Sequence, residues 1–172
     1  MRRISIVLIL IYSSLQSFSQ YDNSEKLSVL AGFTSTGSEF VFWSDNVYGG
    51  SFQLIYDVKK IEEGAIGLKV STALSNGYQG YYGGPNFRIG SRFFADVDLL
   101  FGYSSIDNEK LLENYGANVS KFNGGAFVGN IGIGYRFANN PLFVRFSYGA
   151  HSPLSQSGLN TAFSMQLGFR IK

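Results

Sequence analysis

Thr161-Ala162-Phe163-Ser164-Met165-Gln166-Leu167-Gly168-Phe169-Arg170-Ile171-Lys172 alternates without a break. Phe163, Met165, Leu167, Phe169 and Ile171 share one face, while Ala162, Ser164, Gln166, Gly168, Arg170 and Lys172 share the other. Side chains that change character at every second residue mark a β-strand, because successive Cβ atoms point to opposite faces. A strand of this length can cross a bilayer at a tilt, which takes about 9–11 residues.

The same alternation recurs upstream and predicts eight strands: Leu27–Thr34, Val47–Lys59, Ala65–Leu74, Pro85–Phe94, Val97–Ser105, Gly125–Phe137, Leu142–Ala150 and Thr161–Ile171. The intervening segments alternate in length. Lys60–Gly64, Ala95–Asp96 and Ala138–Pro141 are short, whereas Ser35–Asn46, Ser75–Gly84, Ile106–Gly124 and His151–Asn160 are long. Short turns on one side and long loops on the other are the habit of bacterial outer-membrane barrels. Glu109-Lys110-Leu111-Leu112-Glu113, inside one long loop, reads as a single helical turn. Gly90-Ser91-Arg92-Phe93, Gly134-Tyr135-Arg136-Phe137 and Gly168-Phe169-Arg170-Ile171 form a weak repeat, expected at the ends of strands four, six and eight.

Which face meets the surroundings is decided by the polar set. Strand six presents Asn130, Gly132, Gly134 and Arg136; strand seven presents Arg145, Ser147 and Gly149. These are small residues with scattered charges, unlike the Lys/Glu-rich exterior of a soluble protein. Small side chains suit the narrow interior of an eight-stranded barrel. The apolar face then points to lipid, where a Lys or Arg at mid-bilayer costs about 2–4 kcal/mol. With the phases set this way, Asp57, Lys69, Arg88, Arg92, Asp98, Arg136, Arg145 and Arg170 all fall inward. Asp57 and Asp98 are expected to pair with some of Arg92, Arg136 and Arg170, giving a plugged lumen in which basic groups outnumber acidic ones. Phe93, Phe94, Phe137 and Phe169 are expected as a periplasmic aromatic girdle, with Tyr78, Tyr81, Tyr82, Tyr103 and Tyr148 as the outer one.

Composition agrees. Charged residues make up 15% of the 172, aromatics 16%, and there are 21 glycines; ordinary soluble domains carry about 25% charged residues. Cysteine is absent, which excludes a disulfide framework and thiolate metal sites. Residues 1–19 read as a signal peptide: Arg2 and Arg3, an apolar run from Ile4 to Tyr12, and a small-x-small site at Ser17-Phe18-Ser19. Residues 20–172 are then one barrel domain. Without the leader's two arginines, twelve basic side chains face twelve acidic ones, so the net charge gives no reason to expect a nucleic-acid partner.

The chain as a whole, from about Leu27 to Lys172, resembles the small eight-stranded outer-membrane barrels, similar to the OmpA transmembrane domain and OmpX. Met165-Gln166-Leu167-Gly168-Phe169-Arg170-Ile171-Lys172 looks like the C-terminal signal read by barrel-insertion machinery. The resemblance implies Sec-type export, insertion by the barrel-assembly machinery, and outer-membrane lipid and lipopolysaccharide as neighbours. It implies no shared catalytic chemistry and no cofactor. Phe40, Phe42 and Trp43, with Tyr81 and Tyr82, are the candidate outer-loop contact patch for an unknown surface ligand or protein. The expected role is non-enzymatic: structural or surface-binding. Three other readings stay open. Some barrels of this size modify lipid A, the deacylase through a His-x-Ser pair, whereas here His151 is followed by Ser152 and Pro153. The others are a small pore and a soluble periplasmic carrier of a hydrophobic ligand.

Overall fold

The computed structural model describes residues 26–37, 46–107, 109–113, 121–154 and 159–171. The strands are β1 (Leu27–Gly37), β2 (Val47–Ile61), β3 (Gly64–Ser75), β4 (Tyr78–Ile89), β5 (Phe93–Ile106), β6 (Phe122–Arg136), β7 (Leu142–Pro153) and β8 (Asn160–Ile171). Each pairs antiparallel with its neighbours in sequence, and β1 pairs with β8, so the sheet closes into a barrel. Closure leaves no row of unpaired backbone groups, the condition for a sheet to exist in lipid. The one helix among the described residues, α1 (Glu109–Glu113), is the helical turn expected in the β5–β6 loop.

Six strands lie within a few residues of their sequence-based positions; β4 and β5 do not. β4 starts at Tyr78, not Pro85, because Ser75 pairs directly with Tyr78 across a tight Asn76-Gly77 turn. Gly77 adopts φ +73°, a conformation glycine reaches without steric cost. The expected long loop Ser75–Gly84 is thus a hairpin turn followed by strand. Pro85 is tolerated inside β4 because the β4–β5 ladder runs from Gly83–Phe101 to Asn86–Asp98 without it, and proline has no N–H to contribute. At the far end, Gly90 turns the chain at φ +96°, and its N–H donates to the Glu63 carbonyl at 2.6 Å. Gly90-Ser91-Arg92-Phe93 is therefore a turn running into β5, not a strand end like its two sequence counterparts. The predicted Ala95–Asp96 turn lies within β5.

The wall sorts its side chains by parity. Large apolar residues such as Phe52, Leu68, Val97, Phe101, Ile131, Ile133, Met165 and Leu167 are exposed on the outside. Asp57, Lys69, Arg88, Asp96, Asp98 and Arg145 are buried on the inside. Exposed Lys59 and Lys60 lie beyond a bulge at Asp57/Lys59, next to the β2–β3 turn. Arg136 and Arg170, at the C-terminal ends of β6 and β8, are half-buried.

Candidate functional site

The lumen is a stack of layers, most easily followed along β5. Near the end that carries the β4–β5 turn, Arg88 Nη2 donates to Asp57 Oδ2 at 2.5 Å. Arg136 lies over the Phe94 ring at 4.8 Å and donates to the Ser91 carbonyl at 2.6 Å. Arg88, Arg136 and Arg170, from β4, β6 and β8, line one recess of about 470 Å³ at this mouth. Next comes an apolar plug of Leu30, Ile55, Phe94 and Phe143, with the two phenylalanine rings edge to face at 5.9 Å.

Beyond the plug lies a girdle of charge. Arg145 forks onto Asp96, with Nε to Oδ2 at 2.8 Å and Nη2 to Oδ1 at 2.5 Å. Its Nη2 also reaches Asp98 Oδ2 at 2.9 Å, and its Nη1 reaches Gln166 Oε1 at 3.2 Å. Lys69 Nζ donates to Asp98 Oδ2 at 2.6 Å and Asn86 Nδ2 to Asp98 Oδ1 at 2.7 Å. Lys69, Asp98 and Arg145 side chains have no exposure to solvent. Ionised groups survive such burial only when paired and hydrogen-bonded on most of their atoms. Strands β3, β4, β5, β7 and β8 meet here, which welds the barrel across its axis.

The opposite half, toward the β5–β6 loop, is less charged. Tyr82, Leu100, Ala126 and Val128 pack together beside a cavity of about 40 Å³ lined by hydroxyls that include Thr34, Thr36, Ser51 and Ser147. That is space for about three waters. His151, buried and within β7, lies 3.1 Å from Ser104 Oγ. Its ring stands edge-on to Tyr78 and Tyr82, both at 5.8 Å, and those two hydroxyls share a hydrogen bond of 2.7 Å. Leu111 and Leu112 of α1 close this end against Val47, Tyr78, Ile106 and Phe122. Asn160 Nδ2 donates to the Leu111 carbonyl at 3.3 Å, fastening the lid to β8.

These positions revise several sequence expectations. Arg92 is exposed in the β4–β5 turn and belongs to no lumen network, because the turn falls where a strand end was expected. Asp57 pairs with Arg88, and Asp98 with Lys69 and Arg145, partners the sequence reading did not name. Asp96 was assigned to a turn; within β5 it is the principal partner of Arg145. With it, the buried lumen set among the described residues holds three carboxylates and three cations, while half-buried Arg136 and Arg170 line the mouth. Tyr82 points into the lumen and is not part of an outer patch, whereas Tyr81 is 52% exposed on the outer face of β4. Tyr78 and Phe94 likewise turn inward and leave the aromatic girdles. Phe40, Phe42 and Trp43 lie outside the described residues. The His151–Ser104 pair escaped sequence reading because its members sit on β7 and β5, which do not touch in the ladder.

No protein-family model matches the sequence, and a comparison with curated proteins found no match. Solved structures are similar in fold. Ail, the attachment invasion locus protein of Yersinia pestis, solved with the heparin analogue sucrose octasulfate, aligns with a TM-score of 0.58 at 14% identity, over 86% of this chain and 100% of that one. The backbone structure of the Yersinia pestis outer membrane protein Ail in a phospholipid bilayer nanodisc aligns with a TM-score of 0.50 at 13% identity, over 86% and 100%. Neisserial surface protein A aligns with a TM-score of 0.50 at 12% identity, over 85% and 96%. The closed antiparallel sheet, its inward charges and these superpositions together give the chain the fold of the small eight-stranded outer-membrane β-barrels.

Proposed function

We propose that this chain is an integral outer-membrane protein, exported through its 1–19 leader, with a sealed lumen and a non-enzymatic role exerted through its outer surface. The observation that carries the reading is the segregation of side chains across the wall. An apolar exterior bearing Ile131 and Ile133, each more than 60% exposed, is untenable in water but suited to a bilayer. The charged girdle and apolar plug support a closed lumen, because side chains from several strands meet across the bore at both levels. His151 and Ser104 sit under the α1 lid beside a water-sized cavity, which is poor access for a lipid substrate. In the membrane the neighbours would be lipid and lipopolysaccharide, with the barrel-assembly machinery engaged during insertion.

Expression in a Gram-negative host is expected to give a carbonate-resistant outer-membrane protein starting at Gln20, with heat-modifiable electrophoretic migration. Release into the soluble periplasm would instead favour a soluble carrier. Planar bilayers containing the purified protein are expected to show no steady conductance; a stable open level would overturn the sealed lumen. A barrel of this fold, Ail, has been solved with a sulfated glycan analogue. For this chain the corresponding proposal is that the outer loops, Phe40, Phe42 and Trp43 among them, bind a surface ligand. Exchange of residues 40–43 for Ser/Gly should preserve heat-modifiable folding while abolishing capture of such a ligand on immobilised heparin; unchanged capture would remove those residues from the role. Mass spectra of lipid A from cells with and without the protein should be identical, and any new species would revive the enzymatic reading.

A further inference from the structure

We infer that the barrel wall carries a seat for one acyl chain of a zwitterionic, ammonium-bearing phospholipid, laid along β6 from the periplasmic end toward mid-membrane. The seat begins as an outer-face groove of about 650 Å³ and continues into a second of about 260 Å³, and the two share Ile133 and Phe146. Its floor is made by small residues between large ones. Ala95 on β5 pairs with Ile89 on one side and Ile133 on the other. Val144 pairs with Tyr135 and Leu167. One wall is Phe93, 77% exposed, with its ring centroid 4.8 Å from that of Tyr135.

The dimensions fit a chain from one leaflet. From Tyr135 to Ile131 along β6 the slot runs about 13 Å at about 3.3 Å per residue. Half of a hydrocarbon core of about 30 Å is about 15 Å. The periplasmic end supplies the headgroup chemistry. Glu63, exposed in the β2–β3 turn, borders the groove. Exposed Arg92 sits in the turn between Gly90 and Phe93, both of which line it. One carboxylate bordering the groove and one guanidinium carried by the turn that flanks it complement an ammonium and a phosphate. A headgroup with phosphate alone would meet Glu63 without compensation.

The inference rests on the membrane reading proposed above, and the test separates the two. The full chain is reconstituted with phosphatidylethanolamine and phosphatidylglycerol of identical acyl composition, then extracted gently, and its retained lipids are weighed by native mass spectrometry. Wild type is expected to retain one phosphatidylethanolamine in about five-fold preference, the scale of a single exposed ion pair. Ala95→Trp should lose the retained lipid, and Glu63→Lys should remove or invert the preference. Each variant is first checked for heat-modifiable folding, with Ala95→Ile as the milder filler if the indole is not accommodated. Equal retention of both lipids, retention unaffected by filling Ala95, or a second copy of the chain in place of lipid would each overturn the seat while leaving membrane insertion intact. A wild-type chain that fails to insert into vesicles would instead remove the membrane reading, and the seat with it.

Discussion

The two faces of β5 obey different rules. Outward, Phe93, Ala95, Val97, Leu99, Phe101 and Tyr103 are apolar or aromatic, and polar Ser105 follows only at the rim. Inward, Phe94, Asp96, Asp98, Leu100, Ser104 and Ile106 pass from plug to charge to hydrophobe to hydroxyl and back. In the proposed membrane setting, lipid asks only that a side chain be uncharged and apolar, so one outward residue can replace another. The lumen asks for a particular partner at each level, because buried polar atoms must be satisfied and the bore leaves little room. Specificity in this molecule is therefore concentrated on the side of the wall hidden from its surroundings.

The sharpest break of that contrast is Arg145→Ala. It leaves Asp96 and Asp98 buried against an emptied space, with Lys69 alone to neutralise them. Removing one partner from such a buried network costs about 3–5 kcal/mol. Urea titration in lipid vesicles should show an unfolding midpoint lowered accordingly, or no folded band at all. Arg145→Lys should recover only part, because an ammonium cannot reproduce the fork onto Asp96. A midpoint equal to wild type would mean that the girdle does not hold the barrel together.

Placing the same charge on the other face tests the lipid side. Ile133 is 66% exposed on β6, and Ile133→Arg should destabilise the vesicle-inserted barrel by about 2–4 kcal/mol, the depth-dependent cost of a lipid-facing arginine. Ile133→Leu, by contrast, should be close to neutral. If Ile133→Arg were harmless in vesicles, that face would not be in hydrocarbon.

A subtler probe lies one residue away. A Cβ at Gly132 would stand 2.4 Å from Asp96 Oδ1 and 2.8 Å from Arg145 Nη2. Gly132→Ala should therefore pry the fork apart and cost about 1–3 kcal/mol as overpacking. Combined with Arg145→Ala its effect should shrink, since the crowded partner is gone, and a double-mutant cycle would read that coupling. Strict additivity would detach Gly132 from the girdle.

The parity of Lys69, Arg88, Asp98 and Arg145 was legible in the sequence because a period of two leaves only two choices, and lipid forbids one of them for a charge. Partnership was not legible. It depends on turn positions, and a displaced turn moves a residue between roles: Asp96 from turn to girdle, Arg92 from lumen to turn. Asn76-Gly77 was a readable hairpin signal, obscured by the glycines and tyrosines that follow it. The apolar layers inside, such as Leu30 with Phe94 and Phe143, contradict a simple rule of apolar outward and polar inward. Nothing in a single strand's alternation reveals them, because a plug is assembled from several strands at one height.

The smallest effect expected is at the outer rim, and it completes the contrast. Lys121 and Asp107 flank the β5–β6 loop and form an ion pair at 3.2 Å, with side chains 52% and 63% exposed. Water and salt screen such a pair, so Lys121→Ala should shift the vesicle-unfolding free energy by about 0–1 kcal/mol, and less at high ionic strength. Arg145→Ala should keep its penalty when salt is raised, because the girdle side chains have no solvent exposure and lie between two packed apolar clusters. The salt dependence thus separates two kinds of ion pair: one that orders a surface loop slightly, and one that cross-braces the barrel.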